Sequence, residues 1–191
     1  MARQPSKLNQ LVAEKTAQLA ASEQYFRALI EQSSDAIVLM DVSGKVIYQS
    51  LSTTRISGYA PNELMGVDCI TLVHPDYRDA DLKFFDSLRR SPGTTQKRTH
   101  YLRHKNGHYI WVESTYTNLL DNKDVKAIVF NFHDISEVLR EKDLSDSIIN
   151  SLPGVFYLYD ANGRFLRWNK NFETVTGYTG GEIQQMHPLD F

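Results

Sequence analysis

One registration constrains this 191-residue chain more than any other feature: its end reprises its beginning. Gly44 and Gly163 stand 119 residues apart (163 − 44). The same offset relates Leu39 to Leu158, Asp41 to Asp160, Gly58-Tyr59 to Gly177-Tyr178, and Glu63 to Glu182. A repeat of that length is a whole domain rather than a solenoid turn. The first copy runs to completion, whereas the second ends at Phe191 after an opening hairpin and its helices. A lone hairpin buries too little to stand by itself, so the chain is expected to be a piece of a longer protein.

The pattern within the first copy sets its class. Ser6 to about Gln32 reads as helix, capped by Ser6 and filled with good helix formers. Leu8, Val12, Lys15, Leu19, Ser22, Phe26 and Leu29 step by four and three along it, the spacing of a coiled-coil seam with a Lys and a Ser on it. An amphipathic helix lying on its own domain fits the same residues. From Asp35 the period changes: "DAIVLM" and "KVIYQS" flank a Ser43-Gly44 turn as a β-hairpin. "STTRISGYAPNELMG" follows as short helical pieces, and "PDYRDADLKFFDSLRRS" as a helix with Leu82, Phe85 and Leu88 as its apolar stripe. "TTQKRTHYLRHK" and "HYIWVESTYTNLL" flank Asn106-Gly107, a strong hairpin signal, and "VKAIVFNFHDI" is the last strand. Helix, two strands, short helices and a three-stranded meander make an α+β fold whose antiparallel sheet is covered on one face.

Charge and composition exclude several classes. A formal net charge of −2 gives no electrostatic footprint for nucleic acid or an anionic membrane. A single cysteine makes no internal disulfide, and no apolar run approaches a membrane span. A cytoplasmic protein is expected, without membrane insertion by this segment.

In order along the first copy, five short stretches resemble a PAS domain. They are "FRALIEQSSDAIVLMDVSGKVIYQS", "ISGYAPNELMG", "VHPDYR", "RHKNGHYIWVE" and the "HDISE" that resembles the closing Asp-Ile-Thr of the family's PAC motif. "LPGVFYLYDANGRFLRWNKNFETVTGYTGGEI" then resembles the start of a second PAS domain. The resemblance implies a five-stranded antiparallel sheet with helices on one face, enclosing a pocket. It also implies dimers formed through N-terminal and linker helices that drive an output domain of the same chain, as in bacterial sensor kinases and diguanylate cyclases. Asp134 and Ser136 fall where the last strand meets the linker helix, as signal-coupling residues or simply as its cap.

Cofactor chemistry can be tested residue by residue against that resemblance. Flavin-binding members carry Gly-Arg-Asn-Cys-Arg-Phe-Leu-Gln; here Gly66, Cys69 and Leu72 match, but Asp68, Ile70, Thr71 and Val73 depart. The asparagines that hold the flavin ring fall on Leu102 and Val112, and the glutamine on Phe132. Ring polar atoms would lie unpaired against those side chains, at about 1–3 kcal/mol each. Haem-binding members supply a histidine from the helix after His-Pro-Asp, where this chain has Asp79 and Asp81. Cys69 therefore reads as a small wall residue. His100, His104 and His108 straddle a hairpin rather than a helix face, so they read as solvated residues and not a metal site. No catalytic constellation is present.

Strand parity then sends Val38, Met40, Val112, Ser114, Tyr116, Phe130 and Phe132 inward, to meet Ile56, Leu64, Cys69 and Leu82. A filled core is expected, with Ser114 and Tyr116 as the polar groups that would orient a small unidentified ligand if space exists. The expected division is an N-terminal helix (1–22), a first PAS domain (23–137), a linker helix (138–150) and the start of a second (151–191). The expected function is a sensory and dimerisation module without a cofactor or metal. A flavin- or haem-bearing photo- or redox sensor and a ligand-free structural spacer are the alternatives.

Overall fold

The computed structural model describes residues 7–191, so Ser6 as a helix cap lies outside the described residues. The chain divides into two compact units, 1–135 and 136–191.

In the first unit α1 (Lys7–Glu31) leads into β1 (Ala36–Met40), β2 (Val46–Gln49), α2 (Leu51–Ser57), α3 (Arg78–Arg89), β3 (Thr95–Arg103), β4 (Tyr109–Leu119) and β5 (Ala127–Asp134). The strands form one antiparallel sheet in the order β2-β1-β5-β4-β3. The first hairpin is set by Asp41, whose Oδ1 accepts from the backbone N–H of Ser43 and Lys45, while Gly44 takes φ +89°. In the β3–β4 hairpin only Gly107 of the Asn-Gly pair is left-handed, at φ +91°. Alternation then buries Ala36, Val38 and Met40 of β1, and Ile110, Val112, Ser114, Tyr116 and Asn118 of β4, on one face.

Each edge strand is met locally by the segment between α2 and α3. Val73 bridges Leu102 on β3, and His74 N–H donates to the Tyr101 carbonyl. On the other side Val46 N–H donates to the Val67 carbonyl, the Val46 carbonyl accepts from Gly66 N–H, and Lys45 bridges Asp68. Short 3-10 turns at Cys69–Leu72 and Pro75–Tyr77, with α2 and α3, close the inner face.

Two expectations change. Within the 52–66 stretch only the α2 residues up to Ser57 are helical; the rest is loop and turn, because Pro61 and a left-handed Asn62 (φ 70°) leave no run long enough to propagate a helix. On α3 the inward face is Asp81, Phe85 and Leu88, so Leu82 is turned out to 49% exposure. Steps of four and three from Leu88 reach Asp81, and a step of six to Leu82 leaves the face.

In the second unit α4 (Ser136–Ser151) precedes β6 (Tyr157–Tyr159), β7 (Phe165–Trp168), α5 (Lys170–Thr176) and α6 (Gly180–Ile183). The 119-residue offset holds at the level of single hydrogen bonds. Ser50 Oγ accepts from Ile37 N–H at 3.0 Å, and Asn169 Oδ1 from Phe156 N–H at 3.0 Å. Glu63 accepts from Ala60 N–H and Glu182 from Thr179 N–H. Asp68 receives the N–H of Ile70, and His187 that of Leu189. Pro188 thus stands where the first unit has Cys69. Phe165, Phe172 and Ile183 form this unit's small core, while the Tyr157–Tyr159 strand is exposed.

Candidate functional site

The first unit's interior holds an apolar wall and a buried polar chain. Cys69 starts the wall. Asp68 caps its 3-10 turn by accepting from Ile70 N–H, and Cys69 N–H donates to the Gly44 carbonyl at 3.0 Å. Burial pushes its thiol up to about 12, with Asp68 and Asp41 adding to the shift. A thiol so placed is a poor nucleophile at neutral pH.

Across from it three rings stack in sequence. Tyr116 lies 4.6 Å from Phe130 at 8° between planes, and Phe130 4.8 Å from Phe132. Phe84 and Phe85 meet Tyr116 edge-on at 5.0 and 5.5 Å. The space left between this wall and α2 is a cavity of about 30 Å³, lined chiefly by Val38, Val46, Leu64, Leu102, Phe130 and Phe132, with Cys69 at its rim. That is the volume of one water molecule in the liquid.

The polar chain lies beside it. Asp81 of α3 is 1% exposed, and its Oδ1 is 2.5 Å from Arg98 Nη2 on β3. His100, also 1% exposed, places Nδ1 3.4 Å from Asp81 Oδ2. Its Nε2 is 3.3 Å from Ser114 Oγ and 3.4 Å from Tyr116 Oη. Burial drives the Tyr116 hydroxyl well above its ordinary value, with Cys69 and Asp81 contributing in the same direction. Asp81, His100 and Ser114 have the order of a proton-relay triad, yet all three are buried, so no external carbonyl reaches Ser114 Oγ.

Of the residues expected at a pocket, Val38, Leu64, Cys69, Phe130 and Phe132 line the cavity. Met40, Val112, Ser114 and Tyr116 are buried in the core away from it, Ile56 is partly buried against it, and Leu82 is turned outward. His100 is a correction: it is buried rather than solvated, because β3 alternation puts it on the face of Leu102. His104 and His108 do flank the hairpin and stack at 4.5 Å; burial and the His108 ring lower the His104 pKa, opposed by Asp134. Asp81 and Arg98 were missed, although the steps of seven and four from Leu88 and Phe85 mark Asp81 as inward. Asp134 and Ser136 sit at the β5–α4 boundary, where Ile135 N–H donates to the Trp111 carbonyl at 2.8 Å.

A family model described as "PAS fold" matches residues 24–135, which is more than half of the chain. The chain belongs to the PAS family. A second model, "PAS domain", matches residues 144–190, the reprise. The PAS fold is typical of sensor modules in signalling proteins. The structure is similar to the PAS domain of an HTR-like protein from Haloarcula marismortui (17% identity, 64% of this chain and 99% of that one, TM-score 0.58). It is similar also to a PAS domain of a protein from Colwellia psychrerythraea (22% identity, 61% and 98%, TM-score 0.54). An RNA-binding light-oxygen-voltage receptor matches at 19% identity over 68% of this chain and 37% of its own, with TM-score 0.54. At these identities the likeness establishes the fold alone. No curated protein matches the sequence.

The ring cofactors of the wider family do not fit this PAS interior. A cavity of about 30 Å³ admits neither a flavin nor a haem ring, and Leu102 and Phe132 line it where a flavin needs polar partners. Among the described residues no group of three His, Cys, Asp or Glu is placed to hold a metal ion.

Proposed function

We propose that this chain is a sensory and dimerisation module of a signal-transduction protein, part of a histidine kinase or diguanylate cyclase, acting in the cytoplasm without a ring cofactor. It relays its signal through α1 and α4 to an output domain of the same chain, with Asp134 and Ser136 coupling the sheet to α4. One observation carries the reading. α1 buries none of its residues, and Leu8, Leu11, Val12, Leu19, Tyr25, Phe26 and Leu29 along it are 54–72% exposed. Val138, Leu144 and Ile148 on α4 are 54–64% exposed. Exposed apolar side chains recurring along both helices favour an association face over a solvated helix. No described helix is long and apolar enough to cross a membrane.

The test is sedimentation equilibrium of the 191-residue chain and its Leu19→Glu/Phe26→Glu variant. The module reading requires a dimer that the paired charges dissociate while circular dichroism of the folded sheet stays the same. A chain that is monomeric throughout the accessible concentration range rules the dimerisation role out. The sensory cavity supports a second, narrower reading: its lining is apolar and its volume suits only a very small apolar ligand. Xenon-derivatised crystals or xenon chemical-shift titration would detect one.

A further inference from the structure

The buried polar chain holds charges in close contact without aligned hydrogen bonds. Asp81 Oδ1 and Oδ2, Arg98 Nε and His100 Nδ1 are all buried, and none has an aligned hydrogen-bond partner. The charges are close, at 2.5 Å for Arg98 with Asp81 and 3.4 Å for His100 with Asp81, but the bonds are not made. Folded proteins give almost every buried polar atom an aligned hydrogen bond, so a buried cluster held by ionic contact without them calls for an explanation.

We infer that His100 is a buried proton-binding site, and that the ligand this PAS domain takes in its interior is a proton. The surroundings accept both states. With His100 neutral and Nδ1–H turned to Asp81, Nε2 accepts from the Ser114 or Tyr116 hydroxyl. With a proton on each nitrogen, Nε2 becomes a donor and the hydroxyls reverse to accept, while Asp81 faces two cations. α3 supplies Asp81, β3 supplies Arg98, β4 supplies Ser114 and Tyr116, and β5 supplies only the apolar Phe130 ring at 6.3 Å. Cys69 acts electrostatically on Tyr116. The reversal lands on β4 and β5. Ser114 pairs with Phe132 in register, Tyr116 pairs with Phe130 and stacks on it, and β5 runs directly to the residues before α4.

Proton binding as a signal rests on the sensory reading above, but the site can be tested without it. Ring carbon–proton NMR of the six histidines is recorded on the whole chain as pH is lowered. His100 is assigned by elimination, using single Gln variants at His74, His104, His108, His133 and His187, none of which is buried. The expected result is a single pH-linked transition of the His100 ring, followed by the Ser114 and Tyr116 amides. Asp81→Asn, where it folds, should move that transition down by about 1 pH unit or more, a tenfold weaker proton affinity. A His100 ring whose shifts stay flat while the other five titrate overturns the site, as does an unmoved midpoint in Asp81→Asn. Self-association measured at both ends of the titration then bears on the sensory reading alone.

Discussion

Replacing Arg98 by Met tests whether the buried charges are held by one another. Met keeps the length of the stem and a polarisable group near Phe84, over which the guanidinium lies at 5.1 Å. What it removes is the cation 2.5 Å from a carboxylate that is 1% exposed. Breaking a buried pair costs about 3–5 kcal/mol, because the remaining charge is desolvated without compensation. Arg98 itself is 23% exposed, so water already screens part of the pair and the lower end applies, about 3 kcal/mol. For a domain of this size that is a fall of about 12 °C in Tm. The double variant Asp81→Leu/Arg98→Met removes both charges and should return to within about 1 kcal/mol of wild type. The assay is urea and thermal unfolding followed by tryptophan fluorescence in a Trp168→Phe background, which leaves Trp111 to report on the first unit. A double variant as unstable as Arg98→Met would show that the loss comes from packing, and would refute the electrostatic reasoning.

Three further outcomes follow from the geometry. With its pKa at about 12, Cys69 holds roughly one thiolate in 10⁴ at pH 8, so Ellman's reagent should find no thiol in the native chain and one in urea; rapid native labelling would contradict its burial. Gly58 has φ +77°, and a Cβ there would fall 2.6 Å from the His104 ring, so Gly58→Ala should cost about 2 kcal/mol or more. A His104→Ala background should recover the clash and leave about 1 kcal/mol of backbone strain, which a double-mutant unfolding cycle reads directly. Asp41 is held below its ordinary pKa chiefly by the Ser43 hydroxyl, which donates to it at 2.6 Å. Its contribution is therefore present at neutral pH and lost as pH falls through the depressed value. Ser43→Ala should cost about 1 kcal/mol at pH 7, and the two unfolding curves should converge in acid.

Much of the fold was legible because local chemistry and tertiary packing agree. Asn106-Gly107 between alternating strands placed the β3–β4 hairpin, and β4 parity sent Val112, Ser114 and Tyr116 inward as observed. The 119-residue offset survives as equivalent hydrogen bonds at Ser50 and Asn169. The polar chain was hidden for a physical reason. Hydrophobic periodicity finds a buried face by its apolar residues, so a buried Asp81 shifted the apparent stripe one residue onto Leu82. His100 was masked in the same way, by its spacing from two hairpin histidines, although parity with Leu102 placed it inside. The cavity's size was not legible at all. It depends on how the Tyr116, Phe130 and Phe132 rings stack against α2 and the Cys69 turn, which no local pattern encodes.

The most direct test of a PAS domain that senses with its own side chains is an absorption spectrum. The whole chain should be expressed in medium supplied with riboflavin and a haem precursor, then purified and measured from the ultraviolet through the visible. A cavity of about 30 Å³ faced by Leu102 and Phe132 predicts the tyrosine and tryptophan band alone. A flavin or haem band in stoichiometric amount would contradict it.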